Sequence, residues 1–155
     1  MRSPLSRRTV ATALGVLAAA ALTPVLAPGV AHAAPTCTGT STVAYASDWP
    51  TTMRMPSVGN GTGQITCELG PNNNSSAVRS LQESLRDCYS QPIGVDGQFG
   101  TQTRNAVRAA QQRINQLHGA GLTVDGIYGP RTRKYFQWKL WDHNGNWAGC
   151  GYYGA

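Results

Sequence analysis

Histidine, cysteine, serine and carboxylate side chains in particular arrangements carry most protein chemistry, so their spacing was read first. Beyond residue 33 the sequence has two histidines, His118 and His143, and neither belongs to a His-x-x-x-His pair or another metal-binding spacing. Asp142-His143 supplies two members of a nucleophilic triad, but no serine lies in a nucleophile-elbow context. A glycosidase needs two carboxylates about 5–10 Å apart. Glu83 and Asp87 meet that requirement on one helical face, where they read more simply as a solvated flank. No catalytic constellation is expected, and no cofactor or metal. Hydrolysis of a polymer with Glu83 or Asp142 as the acid is the enzymatic alternative.

Binding chemistry is better represented. Arg104 and Arg108, four residues apart, offer planar forks for a carboxylate or phosphate. The last twenty residues carry Trp138, Trp141, Trp147, Tyr152 and Tyr153, whose faces could stack on sugar rings. Trp138 and Trp141 are also suited to completing a core. Four cysteines, Cys37, Cys67, Cys88 and Cys150, lack the Cys-x-x-Cys spacing of zinc or redox sites and read as two disulfides. Three pairings are open; joining nearest partners would link Cys37 to Cys67 and Cys88 to Cys150.

The elements that must position these groups follow from composition and periodicity. The chain has 155 residues, 41% hydrophobic and 13% charged, which excludes a charge-rich disordered chain and a large catalytic scaffold. Arg2, Arg7 and Arg8 precede an apolar run and Ala31-His32-Ala33, the pattern of a secretory signal over residues 1–33. Those arginines account for half of the formal charge of +6. The remaining basic residues concentrate after residue 99, suiting an acidic polymer; export makes nucleic acid the least fitting of these, and no membrane association is expected once the signal is removed. Residues 34–66, rich in Thr, Ser, Gly and Pro, read as an extension with at most one short strand, tied down by Cys37 and Cys67. Helices are expected from Ser76, where Val78, Leu81, Leu85 and Cys88 form a stripe, over 101–117, and over 130–140 with Tyr135, Phe136 and Leu140 inward. The expected fold is thus mainly α: a three-helix domain over 67–142, followed by an aromatic tail over 143–155.

One pattern is more specific than these. Val95-Asp96-Gly97-Gln98-Phe99-Gly100-Thr101-Gln102-Thr103-Arg104 recurs 29 residues later as Val124-Asp125-Gly126-Ile127-Tyr128-Gly129-Pro130-Arg131-Thr132-Arg133, with six of ten positions identical. Each copy runs into a helix. Asp96-Gly97 and Asp125-Gly126 suit tight turns, Phe99 and Tyr128 suit a core, and Gly100 and Gly129 take the cap positions. The aspartates are expected to reach Thr103 and Thr132 or the exposed N–H groups of the first helical turn. The whole is an internal loop-helix duplication.

With Val78-x-x-Leu81-Gln82-x-x-Leu85, Ala106-Val107 and Gln111 added, residues 69–140 resemble the peptidoglycan-binding domain found beside many bacterial cell-wall hydrolases. Ala110, where the family usually has an aromatic, and the long turn Gly70–Ser76 depart from its pattern. The resemblance implies a secreted, non-catalytic protein whose partner is peptidoglycan or another anionic wall polymer. An interaction module or inhibitor for a secreted protein is the alternative on the same fold. The resemblance also implies a ligand groove near the second helix, here Arg104, Arg108, Gln111 and Tyr128, with Trp138 as a lower wall. Asp96, Gly97, Gly100, Asp125, Gly126 and Gly129 would then be structural. Arg104 and Arg108 would serve the ligand and not stability.

Overall fold

Helix α1 (Ser76–Cys88) begins where the sequence supplies a cap: Ser75 is extended and its Oγ accepts a hydrogen bond from the N–H of Val78 (3.4 Å). Helix α2 (Thr101–His118) starts at Gly100 and stops at Gly119, which adopts the left-handed conformation (φ 57°) that favours glycine. Helix α3 (Pro130–Lys134) opens on proline after Gly129 and runs for only five residues. These elements belong to a computed structural model that describes residues 33–45 and 50–154. The signal expected over 1–33 lies, but for its last residue, outside the described residues. Among the described residues no helix is long and apolar enough to cross a membrane.

The expected mainly-α, three-helix fold is corrected by a four-stranded antiparallel sheet, β1 (Gly39–Ala44), β2 (Thr52–Ser57), β3 (Gln137–Trp141) and β4 (Trp147–Tyr152), in that spatial order. The last four residues of the third expected helix, 137–140, belong to strand β3. Its buried residues are Trp138 and Leu140, preceded by buried Phe136, and they alternate with partly exposed Gln137, Lys139 and Trp141. That is the two-residue period of a strand with one face on a core. Likewise Met53 and Met55 of β2 are buried on either side of exposed Arg54. The 34–66 segment therefore contributes two strands and core side chains, and the aromatic tail contributes the outer strand.

Helix α1 packs on the sheet and meets α2 on another side. The β2–β3 ladder pairs Thr52 with Trp141 and Met53 with Leu140. At the next position the helix takes over: the Ser80 hydroxyl donates to the Arg54 carbonyl, and the Ser84 hydroxyl accepts from the Lys139 N–H (3.2 Å). Two buried serines let the helix approach closely and satisfy strand groups that would otherwise lack partners. The core joins Met53 and Met55 to Leu81, Leu85, Phe136 and Trp138. Disulfides Cys37–Cys67 and Cys88–Cys150 realise the nearest-partner pairing, the second tying the end of α1 to β4.

Because Met55 is fully buried, truncation should be costly even though it lies in the segment that reads as an extension. Met55→Ala should destabilise by about 2–5 kcal/mol in urea unfolding. A loss below about 1 kcal/mol would show that the β1–β2 hairpin is a dispensable appendage.

Candidate functional site

The duplicated loops are organised by a residue outside the repeated decapeptide. The Gln82 side chain of α1 is buried and points into the first loop. Its Nε2 lies within hydrogen-bond distance of Asp96 Oδ1 (2.8 Å), the Gln98 carbonyl (3.0 Å) and Thr103 Oγ1 (2.9 Å), and its Oε1 accepts from the N–H of Gly97 (2.8 Å). Gln111 of α2 repeats every one of these contacts on the second loop: Asp125 Oδ1 (2.9 Å), the Ile127 carbonyl (3.0 Å), Thr132 Oγ1 (3.3 Å) and the N–H of Gly126 (2.9 Å). Asp96 and Asp125 also each accept from the N–H two residues on, at 2.8 and 2.9 Å. The aspartates thus reach the glutamines and their own turns, not the threonines. The threonine hydroxyls meet the glutamine amide instead.

The repeating unit is therefore helix, turn and helix start. Ala77, Val78, Leu81 and Leu85 are buried on α1, and Ala106, Val107, Ala110 and Ile114 occupy the matching buried positions on α2. Helix α2 closes the first unit and opens the second. A sequence signal for this was present: Ala77-Val78-Arg79-x-x-Gln82 and Ala106-Val107-Arg108-x-x-Gln111 stand at the same 29-residue offset as the loops.

The ligand-binding assignments change accordingly. Gln111 is almost wholly buried and occupied by the turn. Tyr128 and Trp138 have no exposed surface; they pack edge-to-face at 5.6 Å within the core and offer no stacking face to a ligand. Arg104 and Arg108 are half-buried, with their stems closing over Gly126. A Cβ at Gly126 would lie 2.6 Å from Arg104 Cγ and 2.8 Å from its carbonyl oxygen, and φ there is +77°, so only glycine fits. Arg104 Nε also donates to the Asp125 carbonyl (3.3 Å), which ties this arginine to stability as well as to any ligand. Asp96, Gly97, Gly100, Asp125, Gly126 and Gly129 all sit in the turns and caps.

Two related clefts lie over the loops, each of about 200 Å³. One lies over the second loop, between Glu68, Leu122, Thr123, Ile127 and Arg131; Gln111 and Asp125 form its floor. The other lies over the first loop, with Gly94, Gln98 and Gln102 at the positions of Thr123, Ile127 and Arg131. Glu68 reaches the second cleft because its strand-like segment is held on both sides: Cys37 N–H donates to the Glu68 carbonyl, and Leu69 exchanges two hydrogen bonds with Tyr128. Neither Glu68 nor Leu122 was picked out from the sequence.

Two of the three carboxylates considered for catalysis, Asp87 and Asp142, have partners of their own; Glu83 lies half-buried on α1. Asp87 pairs with Arg86 and with Lys139, both at 2.8 Å, so it is not part of a free solvated flank. These hydrogen bonds, that from Arg86 foremost, hold its carboxyl below the usual range. Asp142 organises the β3–β4 turn, accepting from the N–H groups of Asn144 (2.9 Å) and Asn146 (2.7 Å), and the Asn146 N–H in particular keeps its carboxyl low. Asp96 is lowered by its bond from Gln82 and then by the Gln98 N–H. Among the described residues no group of three His, Cys, Asp or Glu side chains is placed to hold a metal ion.

The fold defines a small α+β protein built on a duplicated, glutamine-clamped loop-helix unit. Over residues 74–135, which span that unit, the chain matches the family model described as "Putative peptidoglycan binding domain", and the resemblance to that family is shown there. No curated protein matches the sequence. Among solved structures, a peptidoglycan-binding protein from Clostridioides difficile, crystallised in complex with glutamine hydroxamate, is 26% identical at a TM-score of 0.41. The match covers 60% of this chain and 53% of that one, so the chain spans about half of its length.

Two outcomes follow from the clamp. The Tyr128 hydroxyl is buried with no hydrogen-bond partner among the described residues, and its counterpart in the first copy is Phe99. Tyr128→Phe should therefore leave stability unchanged or raise it by about 1 kcal/mol, and leave ligand binding intact; a clear loss of binding would restore this residue to the site. Gln82→Leu strips the partner from the buried Gly97 N–H and should cost about 2 kcal/mol near neutral pH. Asp96, lowered when folded, binds fewer protons in the native than in the unfolded state, so its contribution is present above the ordinary carboxyl range and lost as pH falls through the lowered value. Thermal melts should therefore show a smaller fall in Tm between neutral and strongly acid pH for Gln82→Leu than for the parent. An equal fall would mean that Gln82 does not set the Asp96 proton affinity.

Proposed function

We propose that this is a secreted, non-catalytic protein that binds peptidoglycan through the cleft over its second loop. The observation that carries the reading is the coincidence of the duplicated unit with the segment that matches the peptidoglycan-binding family. That match supports cell-wall binding. Two disulfides are compatible with an extracellular or wall-associated location, where thiols stay oxidised. The non-catalytic part of the reading is supported by the use to which the carboxylates are put. A general acid needs a raised proton affinity near the working pH, whereas Asp142, one of the two acids of the hydrolytic alternative, is held low by the N–H groups of its turn.

The second cleft is favoured over the first because it is walled by both an apolar side chain, Ile127, and side chains of both charges, Glu68 and Arg131. Such a surface can pack a glycan or stem-peptide segment and orient its polar groups. The test is co-sedimentation of the purified protein with insoluble peptidoglycan. The parent should sediment with the walls, and Ile127→Ser with Arg131→Ala should reduce the bound fraction by about fivefold with little change in Tm. Absence of sedimentation by the parent, or release of soluble wall fragments during incubation, would overturn the reading.

A further inference from the structure

A third concavity lies away from both clefts, where the end of α2, the end of α3 and the chain after β4 converge. It holds about 250 Å³ and is lined by His118, Lys134, Tyr135, Tyr152, Tyr153 and Gly154. Half of these residues lie beyond residue 135, so the pocket is not a property of the family-matched segment alone. We infer that it is a second binding site, a subsite for one pyranose ring bearing an acidic group.

The rings are already arranged for this. His118 stacks on Tyr135 with centroids 5.9 Å apart, and Tyr152 meets His118 edge-on at 5.5 Å. The Tyr152 hydroxyl and His118 Nε2 are 3.1 Å apart, a hydrogen bond that fixes both rings. The Cys88–Cys150 disulfide anchors the strand carrying Tyr152 to α1, so little ordering is left for a ligand to impose. Tyr153, which lines the pocket, keeps 40% of its surface exposed and so reachable by a ligand. Aromatic faces are electron-rich and attract the polarised C–H groups of a sugar ring. The volume falls below the roughly 300–1,000 Å³ of sites for drug-sized ligands, which limits the occupant to a single ring.

The acidic group follows from the rim. Among the described residues no carboxylate lines the pocket. Lys134 Nζ lies over the Tyr135 ring, 5.3 Å from its centroid, and the Arg133 guanidinium lies over the Tyr153 ring at 5.4 Å, so two cations border the pocket, each covering one face of a tyrosine. Tyr135 is engaged by His118 and Lys134, so a carboxylated sugar places its ring against Tyr152 and Tyr153 and its charge on the lysine. The inference rests on the wall-binding reading only for where such a glycan would be met; the pocket chemistry is independent of it.

Tetragalacturonic acid and neutral chitotetraose serve as soluble probes, titrated at low salt against the disulfide-bonded protein and followed by NMR chemical shifts. The acidic probe should bind saturably and perturb Tyr152 and Tyr153. Tyr153→Ala should weaken it by about fivefold, the size of one aromatic contact, and Lys134→Gln should remove the preference over the neutral probe. Gln64→Ala, which changes an exposed side chain in the turn after β2, should bind as the parent does. Lack of saturation, or equal affinity in Tyr153→Ala and parent, overturns the site. Equal binding of both probes by the parent overturns its acidic preference. Wall sedimentation without probe binding would remove this pocket and leave the wall reading standing; probe binding without sedimentation would do the reverse.

Discussion

A primary amide buried at the heart of a loop has four hydrogen-bonding sites to satisfy, and the fold of this protein is arranged around two such amides. Gln82 and Gln111 each face a turn aspartate, a backbone carbonyl, a glycine N–H and a threonine hydroxyl. The two N–H groups are shared among three acceptors and the amide oxygen takes the glycine N–H, and a buried polar group left alone would cost about 1–3 kcal/mol. The Asp-Gly turn, the threonine in the following helix and the glutamine on the preceding one are therefore specified together. Glycine at 126 has the further duty of admitting the Arg104 backbone.

The sharing of α2 between the two units has consequences for stability and for binding. Its start completes the first clamp and its middle begins the second, so the units cannot come apart without losing one of them. The clefts over the loops are by-products of this geometry: each lies between a clamped turn and the start of the next helix. Their differences arise from what each receives from elsewhere. The second is closed by Glu68, delivered by a segment pinned between Cys37 and Tyr128, and it has arginine where the first has Gln102.

The sheet solves a different problem. Strands β1 and β2 come from one end of the described chain and β3 and β4 from the other, and their ladder is short where they meet. Ser80 and Ser84 on α1 bridge the gap, so the helix acts as both core and hydrogen-bond partner. The same junction places Arg54 and Lys139 on the outer face, 4.6 and 4.1 Å from the ring of Trp141. Lys139 also reaches Asp87, linking that face back to α1.

Local signals in the sequence determined α1, α2, the Asp-Gly turns, the buried aromatics at 99 and 128, and the resemblance over the repeat. These depend on caps, glycines and short-range periodicity, all readable within a dozen residues. The sheet was hidden because its partners are distant: Met53 meets Leu140 across most of the described chain, and neither strand declares its pairing alone. Phe136, Trp138 and Leu140 did carry the alternation of a strand, but Pro130 before them is an equally good helix start. The true extent of the repeat was also legible, in Ala-Val-Arg-x-x-Gln at both copies. The proposed site was not. A glutamine or tyrosine on the expected face looks the same in sequence whether it meets solvent or core. Only the tertiary structure decided that Gln111 and Trp138 are buried and that Glu68, Leu122 and Tyr153 frame open space, because burial depends on what the rest of the chain packs against each face.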